Sequence, residues 1–178
     1  MSSLYYIAIL PNEEVAKQIT DFKLYAKSNF DTQRALTSPA HITIIPPFRL
    51  KKGVDINTVL QTVEAFCNNQ DTFSIALRNF DRFGNRVIFV NVQPNAALEK
   101  MWQKLYLILA EAYQIKQSRT DFHPHITVAF KDLDEEQFPD AWSYFSSIEY
   151  AATFEVRQLA ILKHNGKHWE VMQQFSLK

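Results

Sequence analysis

The segment AHITII, residues 40–45, returns as PHITVA at 124–129, 84 positions later, and its surroundings return with it. LYYIAILPN at 4–12 lines up with VIFVNVQPN at 87–95, and TFSIALRNF at 72–80 with TFEVRQLAI at 153–161, at offsets of 83 and 81. Twice, then, a strand ends in Pro-Asn and a helix follows. A His-x-Thr strand comes next, then a helix, a strand and a Gly/Asn turn. Self-similarity at a fixed period constrains a fold more than any local propensity does, because the halves must find related packing solutions. The chain is expected to form one domain over residues 1–178, an internal repeat of approximately 1–85 and 86–178. Its expected class is α+β: a bilobal, pseudo-twofold duplicated fold with two antiparallel sheets, outer helices and a central cleft carrying both His-x-Thr motifs.

Local signals fill in this frame. LYYIAIL (4–10) is a strand broken by Pro11, and Asn12 is placed to cap a helix over 13–30 with Glu13 and Glu14 in its first turn. Further helices are predicted from Asp55 to about Asn69 and from Asn95 to about Ile115. A fourth is expected over 134–148, shifted or split by Pro139. FSIALRNF and RVIFVNV read as a hairpin around Gly84-Asn85. FEVRQLAIL and HWEVMQQFSL read as another around Asn165-Gly166.

Residues two apart on a strand point to one face. His41 and Thr43 therefore share a face, as do His125 and Thr127, while Ile42, Ile44, Ile126 and Val128 point into the core. A pseudo-twofold axis turns the two polar faces toward each other. With five histidines in the chain, chance predicts well under one His-x-Thr match in an apolar frame, and two at equivalent places in a repeat are not accidental.

Opposed histidines suit in-line displacement at phosphorus, where the attacking and leaving oxygens lie on opposite sides. One imidazole takes a proton from the nucleophile and the other gives one to the leaving oxygen. The threonine hydroxyls donate to non-bridging phosphoryl oxygens. No cofactor is required, and no metal. His123 shares the strand face of His125, so with His41 it could complete a three-histidine zinc site. It aligns with Pro39, however, so the repeat does not need it, and it reads as a rim residue.

Charge narrows the partners. Nineteen basic and nineteen acidic side chains cancel. Proteins that coat long nucleic acids are usually basic, so the expected partner is a small cyclic nucleotide or an RNA terminus, not DNA or a membrane. Cys67 is the only cysteine and reads as core. The N-terminus lacks the basic region of a signal peptide, and no segment has the roughly 20 apolar residues that span a bilayer. A soluble, cytoplasmic monomer is expected.

The paired motifs resemble those of the two-histidine (2H) phosphoesterase superfamily, and most closely the RNA 2′,3′-cyclic phosphodiesterases, also called 2′-5′ RNA ligases. LYYIAILP is similar to that family's first strand, FHPHITV to its second motif and LAILKHNGKHWEVMQQFSL to its closing hairpin. The resemblance implies hydrolysis of a 2′,3′-cyclic phosphate to a 2′-phosphate, with reversible 2′-5′ RNA joining in some members. It makes His41 and His125 the catalytic pair and Thr43 and Thr127 their phosphate-binding partners. His41 is assigned to the leaving 3′ oxygen and His125 to water, although pseudo-symmetry lets these roles exchange. Two positions depart from the family pattern: Pro-Pro-Phe (46–48) replaces a common Phe-Leu-Gly, and Phe130 stands where many relatives carry arginine. A cationic contact is therefore absent or supplied from elsewhere. Other readings are a non-catalytic module binding an RNA end or a nucleotide phosphate, and a phosphodiesterase for a non-RNA cyclic phosphate.

Further substrate contacts are sought among Tyr6, Phe48, Phe130 and Trp169, whose rings could stack on a base, and Arg49, which follows the first motif. Lys51, Lys52, Lys163, Lys167, His164 and His168 read as solvated surface.

Overall fold

The computed structural model describes residues 3–115 and 122–178. In chain order the elements are β1 (Leu4–Ile9), α1 (Glu13–Phe30), a short 3-10 turn (Arg34–Thr37), β2 (Ile42–Arg49), α2 (Ile56–Cys67), β3 (Phe73–Phe83), β4 (Val87–Val92), α3 (Ala96–Tyr113), β5 (His125–Ala129), α4 (Phe138–Ser146), β6 (Ala151–Val156), β7 (Gln158–His164) and β8 (Trp169–Ser176). The molecule is α+β, with two antiparallel four-stranded sheets ordered β2-β1-β7-β8 and β5-β4-β3-β6.

The helices begin where side-chain caps dictate. Asn12, Asp55 and Asn95 each accept a hydrogen bond from a first-turn backbone N–H, at 2.9–3.1 Å. Such a bond satisfies one of the amides a helix start leaves without an intrahelical acceptor. Pro139 does not split its helix. α4 begins at Phe138, which puts the proline in the first turn, where its missing N–H costs nothing. α1 buries Val15, Ile19, Lys23 and Ala26 along one face. The lysine in that apolar stripe matters for the site.

The repeat is visible in strand register. Ile7 pairs with Ile161 across β1 and β7, and Val90 with Phe80 across β4 and β3. These are the pairs the sequence offsets of 83 and 81 equate. The sheets nevertheless do not coincide with the sequence halves. The segment 154–162, read as one strand, breaks at Arg157. Residues before the break (β6) pair with β3 in one sheet, and residues after it (β7) pair with β1 in the other. The first half thus sends β3 into the sheet of β4, β5 and β6, and the second half sends β7 and β8 into the sheet of β1 and β2. Periodicity cannot reveal such a crossing, because both pieces are β-rich and alternate in the same way.

β2 and β5, each at the edge of its sheet, approach one another. Ile42, Ile44, Ile126 and Val128 are buried in the main core, and the alternate positions His41, Thr43, His125 and Thr127 are only partly covered. β1 is buried on both faces. Tyr5, Ile7 and Ile9 join the main core, while Tyr6 and Ala8 form a smaller cluster with Ala160, Leu162 and the flanking Trp169. That second cluster is the floor beneath His41.

The lobes are also tied together at the motif ends. Asp132, just past β5, accepts hydrogen bonds from the Thr32 hydroxyl and from the Gln33 and Arg34 amides, each at 2.8 Å. Burial works against its charge, but these donors outweigh it and hold the carboxyl below its ordinary range.

Candidate active site

The two histidines are fixed by the same device. His41 Nδ1 lies 2.7 Å from the Pro39 carbonyl oxygen, and His125 Nδ1 lies 2.6 Å from that of His123. A carbonyl only accepts, so Nδ1 carries the proton in both rings. In a neutral ring Nε2 is then the basic nitrogen, and in a protonated ring it is the acid. The alignment that sets His123 opposite Pro39 thus has a structural meaning. Both residues serve through their backbone carbonyls, and the His123 imidazole is an exposed neighbour whose centroid is 6.2 Å from that of His125. Among the described residues no group of three or more His, Cys, Asp or Glu is placed to hold a metal.

An aromatic ring from the central strand supports each imidazole: Tyr6 beneath His41 at 4.9 Å between centroids, and Phe89 beneath His125 at 4.8 Å. These residues are equivalent at the offset of 83. Phe83 adds an edge-on contact to His125 at 5.0 Å, and Trp169 packs edge-on against Tyr6 at 4.5 Å.

The surroundings of the two rings differ. Beside His41, the Tyr6 hydroxyl and Ser38 Oγ are 2.5 Å apart, Ser38 Oγ is 3.4 Å from His41 Nδ1, and Lys23 Nζ donates to the Ser38 carbonyl at 3.0 Å. Burial pushes His41 down to about 4. The bond to Pro39 opposes the shift, and the charges of Lys23 and His125 add to it. At neutral pH, His41 is therefore uncharged. Burial also raises the Tyr6 phenol to about 12, against the Ser38 bond, so Tyr6 stays protonated.

A cavity of about 680 Å³ opens beside His125 and Thr43, walled by Phe83, Arg86, Trp102, Phe122, Phe130 and Lys131 among others. Of the further substrate-contact candidates singled out from sequence, Phe130 lines it. Tyr6 (2% exposed) and Phe48 (8%) are packed into cores, so neither ring offers a face to a base. Arg49 is exposed at the end of β2, and Trp169 is half-buried over Tyr6. Cys67 is buried, its thiol pushed up to about 12. Sequence reasoning missed Arg86, Trp102, Phe122, Ser38 and Lys23. Only Lys23 left a signal, a charge at a core position of an amphipathic helix.

A family model described as the 2′-5′ RNA ligase superfamily matches residues 11–168. No curated protein matches the sequence. The fold is shared with solved structures at low identity. TT0787 of Thermus thermophilus superposes with a TM-score of 0.72 at 17% identity, covering 98% of this chain and 97% of that one. LigT of E. coli in its apo form gives 0.66 at 16% identity, covering 100% and 99%. LigT complexed with 3′-AMP gives 0.62 at 15%, covering 100% and 99%. Among the described residues no helix is long and apolar enough to cross a membrane.

Proposed function

The chain belongs to the 2′-5′ RNA ligase superfamily, and from that premise we propose that it is a phosphodiesterase that opens a 2′,3′-cyclic phosphate on a nucleotide or RNA end, with His41 and His125 as its proton-transfer pair. The observation that supports this most is the matched tethering of the two imidazoles. Each Nδ1 is held by the carbonyl two residues earlier, and each histidine has a threonine two residues later on the same strand face.

The low pKa of His41 favours it as the base, the reverse of the assignment expected from the resemblance. Neutral His41 takes a proton at Nε2 from water as the water oxygen bonds to phosphorus. The bond from phosphorus to the 3′ oxygen breaks, and that oxygen receives the Nε2 proton of protonated His125. The product is a 2′-phosphate beside a free 3′ hydroxyl, and proton exchange with solvent restores both rings. Thr43 and Thr127 donate to the non-bridging oxygens, where negative charge accumulates. A 5′ hydroxyl in place of water would run the same steps as RNA joining.

The test is product analysis with chelator-treated protein and adenosine 2′,3′-cyclic phosphate or an RNA ending in one. The expected product is the 2′-phosphate, lost in His41→Ala and in His125→Ala. Full turnover by either variant overturns the reading. Tight binding without product, by the unmodified protein, assigns the cleft to a binding module instead.

A further inference from the structure

A second cavity, of about 250 Å³, lies on the other side of His41 in the chain: Ser38 and Pro39 before it line this cavity, while Thr43 after it lines the large one. Its other walls include Thr20, Lys23, His168 and Trp169. We infer that this cavity is an anion subsite built on Lys23, which holds a phosphate group of the substrate other than the one being opened; the inference rests on the cyclic phosphodiesterase reading above.

Lys23 is only 3% exposed and stands in the buried stripe of α1. Neither of the ion pairs formed among the described residues involves it. Its ammonium has three N–H donors, and the acceptor it reaches is one neutral carbonyl, that of Ser38. Burying a cation without a counter-charge is costly. An anion entering the cavity would supply both the missing charge and the missing acceptors. Burial lowers Lys23 to about 8, which leaves it mainly protonated at neutral pH. His168, exposed on the turn between β7 and β8, adds a further residue to the lining.

Placement then specifies the substrate class. The two residues before Ala40-His41 line the small cationic cavity, and Thr43 lines the aromatic cavity of nucleoside size. A ligand that fills both has its cyclic phosphate at the histidines and carries at least one more phosphate. That describes a 5′-phosphorylated cyclic nucleotide or an oligonucleotide end, and it disfavours a simple cyclic nucleoside phosphate.

The experiment compares adenosine 2′,3′-cyclic phosphate with the same compound bearing a 5′-phosphate. The unmodified protein is expected to favour the second in kcat/KM by about tenfold or more, through KM, as one or two charge-assisted hydrogen bonds would give. In Lys23→Met the ratio is expected to fall to about one, whatever loss both substrates share, and Lys23→Arg should recover part of it. Lys23→Gln replaces the methionine variant should the latter not fold. A ratio unchanged by these substitutions, with both substrates slowed equally, overturns the subsite and leaves Lys23 as a support for the Ser38 backbone. Should neither compound be opened, the catalytic reading fails separately. Calorimetry with adenosine 2′,5′-bisphosphate and adenosine 2′-monophosphate then decides the subsite. Equal affinity of the unmodified protein for the two overturns it, and a preference for the bisphosphate that disappears in Lys23→Met sustains it.

Discussion

The His41 and His125 half-sites are built to one plan and furnished differently. Both imidazoles are held at Nδ1 by the carbonyl two residues earlier, and both rest on an aromatic ring from the neighbouring central strand. Around His41 that ring is a tyrosine, bonded to Ser38, with the Lys23 ammonium behind it. Around His125 the rings are Phe89 and Phe83, and the wall opens into the large aromatic cavity. Backbone geometry is what the repeat preserves. Burial of the ring and the lining of the adjoining cavity are what the divergent neighbours set. Burial first, and the charges of Lys23 and His125 after it, lower the proton affinity of His41.

The largest expected effect breaks the plan itself. His41→Ala and His125→Ala should each lower kcat for cyclic-phosphate opening by about a thousandfold, within the usual range for a general acid or base, while circular dichroism stays unchanged. A large loss in one and a small loss in the other would show that only one half-site performs proton transfer. Next in size, Thr43→Val and Thr127→Val should each cost about ten- to a hundredfold, the worth of a hydrogen bond to a charged oxygen. Unequal losses would reveal which half carries more of the developing charge.

The pH dependence sharpens the comparison further. His41 must be neutral to act as base, so kcat/KM should hold as pH falls through 6.5 and decline only near its value of about 4. An acid limb well above the His41 value would return the base role to His125. Stability should follow the same group. Between about 4 and 6.5 the unfolded chain binds a proton at His41 that the folded chain refuses. Stability is therefore full above 6.5 and falls as pH drops toward 4. Denaturant unfolding across that window should show this decline, and His41→Gln should flatten it. The smallest effect concerns the tie between the halves. Asp132→Ala removes three hydrogen bonds, one of them from the hydroxyl of buried Thr32, and should lower stability by about 1–2 kcal/mol, read as a drop in Tm. No change would mean that the two edge strands hold their spacing without it.

Much of this was legible in the sequence. The caps at Asn12, Asp55 and Asn95, the two turns with glycine, and the alternation of Ile42, Ile44, Ile126 and Val128 against the His-x-Thr positions follow from local rules that tertiary contacts did not override. Aromatic candidates for ligand contact fared differently. Tyr6 and Phe48 lie in cores and Phe130 lines the cavity, and nothing in composition separates a ring that faces a cleft from one that faces a sheet. Trp102 and Phe122, stacked at 4.6 Å beside that cavity, come from a helix and a loop brought together only by packing.

By itself, the sequence determined the strand faces and the family, because these depend on periods and on short motifs that a chain carries wherever it folds. Tertiary structure decided which lobe each strand joins, since the break at Arg157 sends β6 and β7 to different sheets. It also decided how the histidines differ. The charge state of His41 depends on how far its ring is withdrawn from water and on an ammonium 18 positions away in the chain. Desolvation and Coulomb forces act through space, and no spacing along the chain records them.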